Sequence, residues 1–374
     1  MQLQIGSKQV AADISVAVDV SGREHLVVVA KSTWSLPEAG QRPRPLPPQP
    51  LVVTDEYYGE PGESAMRYGS DMVRFKPRCD VILDACAYSA DGRPVTELLA
   101  GFELGPLRKQ LRVDGARRWQ RVAQDKPEFK LSEPEPFTRV PLHFGFAFGG
   151  SRWYAQGQDR LCEAHLHNPA GAGFAGQRTV EQMHLQPAHQ LEHPQQPVRQ
   201  PGDPVAPQAL SAIGRHWLPR RQHAGTYDED WQRDVFPLLP LDFDEQFHQV
   251  APVDQQMPYP RGGEPVRLSH LLPGRPDVRF AMPRLSDLGV RIQRDNDALQ
   301  ELDVAADTVF LELEHGRFSV VWRASVPIRR HIREIKAVLV APRSSLAWMQ
   351  QTGPNAGCFS CNEAGEPAPI EEAL

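Results

Sequence analysis

The chain has 374 residues, enough for one large or two to three modest domains, and its 40% hydrophobic content is compatible with a real core. A formal charge of −6 argues against a dedicated nucleic-acid binder, which would present a basic face. Five cysteines, odd and sparse, do not make a secreted disulfide framework and fit a reducing cytoplasm. Proline, at 36 residues, is close to twice its usual share of about 5%. The prolines sit among aromatic and apolar residues, which predicts ordered loops between short strands.

The N-terminus lacks a basic segment followed by an apolar run, so no signal peptide is indicated. The most apolar windows, Leu26–Ala30 and Ala337–Ala341, are far too short to span a bilayer. These features predict a cytoplasmic protein without membrane insertion.

In chain order, Ile14, Val16, Val18 and Val20 alternate with smaller or polar residues, the period of a half-buried strand. Ser21-Gly22 turns the chain into a second β-branched run, His25–Ser35, so the expectation is a hairpin. Pro37–Pro50 is proline-rich enough to exclude helix and ladder pairing; it fits an extended surface connector better than a ligand for an SH3-like groove. Cys79–Tyr88 and Pro94–Leu104 read as two strands joined through the Asp91-Gly92 turn, and Leu107–Val113 and Arg117–Val122 continue the pattern. Strands this short and evenly spaced, up to the glycine-rich run His143–Gly150, predict a β-sandwich or barrel.

From Ser151 to Pro207 the periodicity dissolves into a long irregular excursion. Ala209–Pro240 holds fragments around Trp217, Tyr227 and Trp231, with one helical turn expected at Asp228–Arg233. Trp231–Leu268 mixes aromatic, proline and acidic residues with no period, yet carries too much apolar surface for a solvated linker. Strand character returns at Val266–Leu272 and Val278–Met282, then at Thr308–Glu314 and Arg317–Val326 about a His315-Gly316 turn, and at Ile335–Val340. The fold class is therefore mostly β, with antiparallel β-sandwich-like sheets, long Pro/Gly-rich loops and few short helices. The division expected is 1–150 as an N-terminal sandwich-like domain, 151–265 as a loop-rich centre, 266–350 as a C-terminal β region and 351–374 as a tail.

Motifs for chemistry are sparse. The sequence has no G-x-S-x-G elbow, P-loop or H-E-x-x-H. Cys358 and Cys361 form a CxxC with no second ligand pair at zinc spacing, and His165 and His167 lack a third ligand, so neither metal nor cofactor is predicted. Asp242, Asp244 and Asp254, with aromatic neighbours, are the alternative catalytic carboxylates of a carbohydrate-active enzyme. Acidic residues in proline-rich loops more often cap turns or pair with arginine.

Four segments carry a resemblance: KSTWSL with the proline run after Lys31, Asp55–Asp80, Pro94–Trp119, and DFDEQFHQVAPVDQQ followed by RGGE; FAFGG at Phe146–Gly150 adds a fifth. In this order they resemble a bacterial domain-of-unknown-function family encoded beside type VI secretion spike and PAAR-tip proteins, over roughly residues 15–285. The resemblance implies a non-enzymatic adaptor or chaperone that binds a toxic effector, or its PAAR-like portion, and loads it onto the VgrG-type spike. It supplies no catalytic residues to carry over. Interfaces concentrate their energy in aromatic and arginine anchors, so Trp217, Tyr227, Trp231, Tyr259 and Arg261 are the candidate protein-binding residues. At least half of the aromatics in this region, Phe243 and Phe247 first, are expected to fill core.

Overall fold

The structure, a computed structural model, describes residues 1–348 apart from 124, 125, 158, 346 and 347. Cys358 and Cys361 lie outside the described residues. The chain is mostly β, built from several open and largely antiparallel sheets, and its three α-helices are a turn or two long.

The largest sheet runs, from one edge to the other, Gln256–Met257, Cys79–Asp84, Ala305–Glu312, Arg317–Pro327, Glu24–Ser35 and Ala11–Val18, with Pro45–Leu46 added beside Glu24–Ser35. A second sheet orders Leu191–Glu192, Leu107–Asp114, Glu97–Leu104, Pro265–Leu272 and Arg275–Ala281. A third orders Gln2–Ile5, Ile335–Pro342, Leu288–Arg294 and Leu299–Leu302. The segments 1–150 and 266–350 thus contribute strands to the same sheets.

One face of each sheet meets the others in a shared core. Leu26, Val28, Val81, Phe318 and Trp322 come from the first sheet, Phe102, Leu111 and Leu268 from the second, and Ile292, Val338 and Val340 from the third. The opposite face of the first sheet is also covered. Ile82 and Phe310 pack with Met66, Tyr68 and Val250, while Val27, Val29 and Val321 pack beside Leu51 and Met72. Burial on both faces explains why Glu24–Ser35 and Ala305–Glu312 read as nearly continuous apolar runs.

Three sequence expectations are corrected. Cys79–Tyr88 and Pro94–Leu104 do not form a hairpin: Cys79–Asp84 pairs parallel with Ala305–Glu312, and Cys86–Tyr88 pairs with Arg139–Pro141. The five consecutive buried residues of Cys79–Leu83 need a sheet-centre position, which an isolated hairpin does not offer. Pro45 and Leu46 do pair, against Trp34 and Thr33, on the side of that strand beyond the end of Ala11–Val18. The supposed irregular excursion after Ser151 opens with an antiparallel hairpin, Ser151–Gln156 with Asp159–Ala164. Its first strand is largely exposed, so it never needed apolar alternation. Among the described residues, no helix is long and apolar enough to cross a membrane.

Candidate binding face around residues 206–261

The period-less stretch is held to the first sheet by buried charge. Asp80, fully buried on Cys79–Asp84, accepts hydrogen bonds from Gln249 Nε2 at 2.6 Å and from the backbone N–H groups of Val250 at 2.9 Å and Ala251 at 3.1 Å. Lys76 Nζ neutralises it at 2.9 Å and donates to Thr308 Oγ1 at 2.9 Å. Gln249 returns its amide oxygen to Arg78 N–H at 2.8 Å. Six residues on, buried Gln255 donates to the carbonyls of Val81 at 2.7 Å and Leu210 at 3.0 Å. A loop cannot be buried without partners for its backbone polar groups; here distant side chains supply them.

The same device recurs beside it. Asp71 accepts from Lys31 Nζ at 2.8 Å, Tyr68 Oη at 2.7 Å and Val52 N–H at 2.8 Å, fixing residues 50–73 over the sheet. Arg323 donates to Asp307 at 2.6 Å and to the carbonyls of Asp71 and Val73. Arg220 spends its guanidinium on carbonyls, two bonds to Phe247 at 3.0 and 2.9 Å and one to Ile213 at 3.1 Å. Burial without a carboxylate at hydrogen-bond distance pulls its pKa down to about 10. Arg74 pairs with Glu245. His248 is pushed down to about 3 by burial and by the charges of Arg220 and Arg323.

Between this clamped loop and residues 206–223 lies a cavity of about 600 Å³. Phe144, Ile213, Pro207, Pro219 and Pro252 make its apolar walls, and Lys109 enters from the second sheet. Lys109 is buried, which lowers its pKa, and its ammonium meets Asp254 at 2.9 Å. A second cavity of about 760 Å³ is bordered by Tyr259, Arg261, Trp322 and Arg323.

Residues 226–242 leave the scaffold as an arm. Asp228 caps the helix Glu229–Asp234 through Trp231 N–H at 2.8 Å, and Arg233 spans Asp230 and Asp234 at 2.7 and 2.8 Å. Trp231 donates Nε1–H to the Leu238 carbonyl at 3.0 Å, closing the loop, and its ring meets Tyr227 and Phe236 edge-on. Asp242 pins the base by accepting from Thr226 N–H at 2.9 Å and Oγ1–H at 2.8 Å, bonds that lower its pKa. The apolar tips point outward: Phe236 is 65% exposed and Leu241 77%.

The sequence-predicted residues separate accordingly. Trp217 is 1% exposed and packs edge-on against Phe144, so it is a core residue and its assignment as a contact residue is withdrawn. Tyr227 is exposed on the arm and Trp231 half-buried beneath it, whereas Tyr259 donates its hydroxyl to the Lys76 carbonyl and Arg261 is exposed nearby. Phe243 and Phe247 are half-buried against His248 and not in the core. Of the carboxylates, Asp242 holds Thr226, Asp244 caps Gln246 N–H at 2.9 Å, and Asp254 meets Lys109. The anchors Lys31, Asp71, Lys76, Asp80, Arg220 and Gln255 were not predicted; the signal available was a lysine inside the apolar run VVVAKSTW and the charged residues of FKPRCD.

A family model covers residues 21–323, a span that contains the clamp, the arm and the walls of the first cavity. The chain belongs to DUF2169, an uncharacterized family conserved in bacteria. No curated protein and no solved structure matches it. Within this DUF2169 chain, no group of three or more His, Cys, Asp or Glu side chains among the described residues is placed to hold a metal ion. The His165 and His167 rings, 5.8 Å apart, lie with Phe148 and Phe174 against His165.

Proposed function

We propose that this DUF2169 protein is a type VI secretion adaptor or chaperone that binds a toxic effector, or its PAAR-like portion, and helps load it onto the VgrG-type spike. The observation that carries the reading is the arm: a short loop, braced at its base by Asp242 and internally by Asp228 and Trp231, that holds Phe236 and Leu241 in solvent. Large apolar side chains kept exposed on a braced support are the anatomy of a binding surface, because pre-ordering lowers the entropy lost on association. The resemblance of the sequence to proteins encoded beside spike and PAAR genes supplies the partner class.

The test is co-purification of the tagged chain from cells with an active secretion system, alongside Phe236→Asp and Leu241→Asp. Capture of an effector or spike protein by the parent, reduced at least tenfold in both variants, supports the reading. Absence of any such partner from the parent sample defeats it. Partner capture unchanged in both variants moves the surface elsewhere, the cavity beside Lys109 being the next place to alter.

A further inference from the structure

The edges of the three main sheets are not alike. Arg275–Ala281, at one edge of the second sheet, carries Arg275, Pro276, Asp277 and Arg279, and charges and proline discourage pairing with another strand. Leu191–Glu192 and Gln256–Met257 are two residues long, and Gln2–Ile5 and Leu299–Leu302 four. Ala11–Val18 is different. It is eight residues, AADISVAV, paired to Glu24–Ser35 without a register shift, and it contains no lysine, arginine or proline.

The direction of its free hydrogen-bonding groups follows from two bonds. Asp19 N–H donates to the Arg23 carbonyl at 3.0 Å, continuing the Val18–Glu24 register, so the odd-numbered residues bond inward to Glu24–Ser35. Ile14 N–H donates instead to the carboxylate of its neighbour Asp13 at 2.8 Å, so the even-numbered residues face away from the sheet. The backbone groups of Ala12, Val16 and Val18 therefore line an open edge. The side chains of Val16 and Val18 are 49% and 41% exposed, on the same side of the strand as Ile14.

We propose that two copies of the chain join antiparallel along this edge, with the two-fold axis passing between the two Ser15 residues. Centred there, Ala12 faces Val18 of the second copy and Ile14 faces Val16, so every outward-facing residue meets another outward-facing residue and every such pair is apolar. Asp13 lies opposite Ala17, and Asp19 opposite Ala11, so no like charges oppose each other. The neighbouring registers are worse. Centring on Asp13 sets two carboxylates face to face, and centring on Val16 sets Asp13 opposite Asp19. Centring on Ile14 requires Val10, whose N–H already donates to the Ser7 carbonyl. Interstrand bonding displaces only the local bond from Ile14 to Asp13, whose carboxylate is exposed to water. The product is one continuous sheet formed from the largest sheets of both copies.

An edge-to-edge contact buries little area, so the dimer is reversible and concentration-dependent. Sedimentation equilibrium of the purified full chain, with no effector present, reads it directly. The expected mass climbs with concentration to twice 41.9 kDa. Val16→Lys, at an exposed position, is expected to stay at the single-chain mass over the same range while its thermal unfolding matches the parent. Ser15→Cys, with Cys162, Cys358 and Cys361 replaced by serine, is expected to form an intermolecular disulfide on mild oxidation, because directly opposed residues in a non-hydrogen-bonded pair lie about 4.5 Å apart at Cα. Asp13→Cys in the same background faces Ala17 and is expected to link poorly. A parent that remains single at every concentration overturns the proposal and leaves the edge for a strand of another protein. A dimer that survives Val16→Lys, or that Asp13→Cys links as readily as Ser15→Cys, overturns it as well. The adaptor reading does not depend on either result.

Discussion

Residues 226–242 and residues 243–257 are consecutive, and both are rich in acidic and aromatic residues, yet they have opposite fates. The second segment is held to the first sheet by Asp80, which Lys76 neutralises, and to the helix Leu218–Arg221 by Arg220, all from elsewhere in the sequence. The first is braced almost wholly by its own residues, Asp228, Trp231, Arg233 and Asp242. It also reaches another element through Leu238, whose Cδ1 stands 3.0 Å from where a Cβ on Gly22 would lie. The difference teaches that local capping suffices to shape a loop. Burying one takes a charge from elsewhere in the fold that can satisfy several backbone groups at once.

The largest effect should come from breaking that long-range anchor. Asp80→Ala strands the ammonium of Lys76 in the interior and leaves the N–H groups of Val250 and Ala251 without acceptors. Removing one partner of a buried pair costs about 3–5 kcal/mol, which chemical denaturation will read as a large fall in midpoint. If the midpoint moves by no more than a surface substitution moves it, the clamp does not hold the fold. Lys76→Met in the same background tests the pairing: it removes the stranded charge and should recover part of the loss.

Acid should destabilise the fold through its buried histidines. His143 and His165 are pushed to about 4, mainly by burial, and His248 to about 3. Each stays neutral in the fold, whereas in the unfolded chain it takes up a proton near its ordinary value of 6.5. The unfolded chain thus binds more protons between pH about 6.5 and about 4, so stability falls as pH drops through that window. His248→Gln should flatten the acid side of a plot of unfolding midpoint against pH. An unchanged slope would show that His248 is not held neutral.

These two predictions mark where sequence reasoning worked and where it stopped. Strands with a local signature were legible: the hairpin through Ser21-Gly22, the strands read at Val266–Leu272 and Val278–Met282, which overlap the paired strands Pro265–Leu272 and Arg275–Ala281, and the turn at His315-Gly316. The parallel pairing of Cys79–Asp84 with Ala305–Glu312 has no turn to announce it, because its two strands are joined by most of the chain. Asp80 failed for a related reason. An acidic residue within a strand reads as solvent-facing, and only the arrival of residues 249–251 from another part of the chain makes that position an interior one. Trp217 and Tyr227 look alike in sequence, both in loop-rich surroundings. Phe144 packs against one ring, and the other stands in solvent, a distinction set by tertiary packing alone.

Within the arm, effects should be smaller and confined. Asp228→Ala removes the acceptor for Trp231 N–H, and loss of an N-cap costs about 1 kcal/mol. Because the helix Glu229–Asp234 contains no buried residue, that cost should appear as local opening and not as global unfolding. Hydrogen exchange distinguishes the two: faster exchange at Trp231, Gln232 and Val235, with Val250 and Ala251 unchanged, is the expected pattern. Equal acceleration at both places would mean that arm and clamp open as one unit.

The smallest expected effect on stability is at the tip of the arm. Leu241→Asp exchanges a side chain 77% exposed to solvent, so the unfolding free energy should change by no more than about 0.5 kcal/mol, as for other exposed positions. A protein gains nothing in its own fold from a leucine held there. If the substitution instead costs as much as a core change, Leu241 packs against the scaffold in solution, and the arm is part of the body of the protein. If it costs nothing, Leu241 and Phe236 are the apolar groups whose exposure the fold leaves unexplained, and the binding reading rests on them with the stability argument removed from the way.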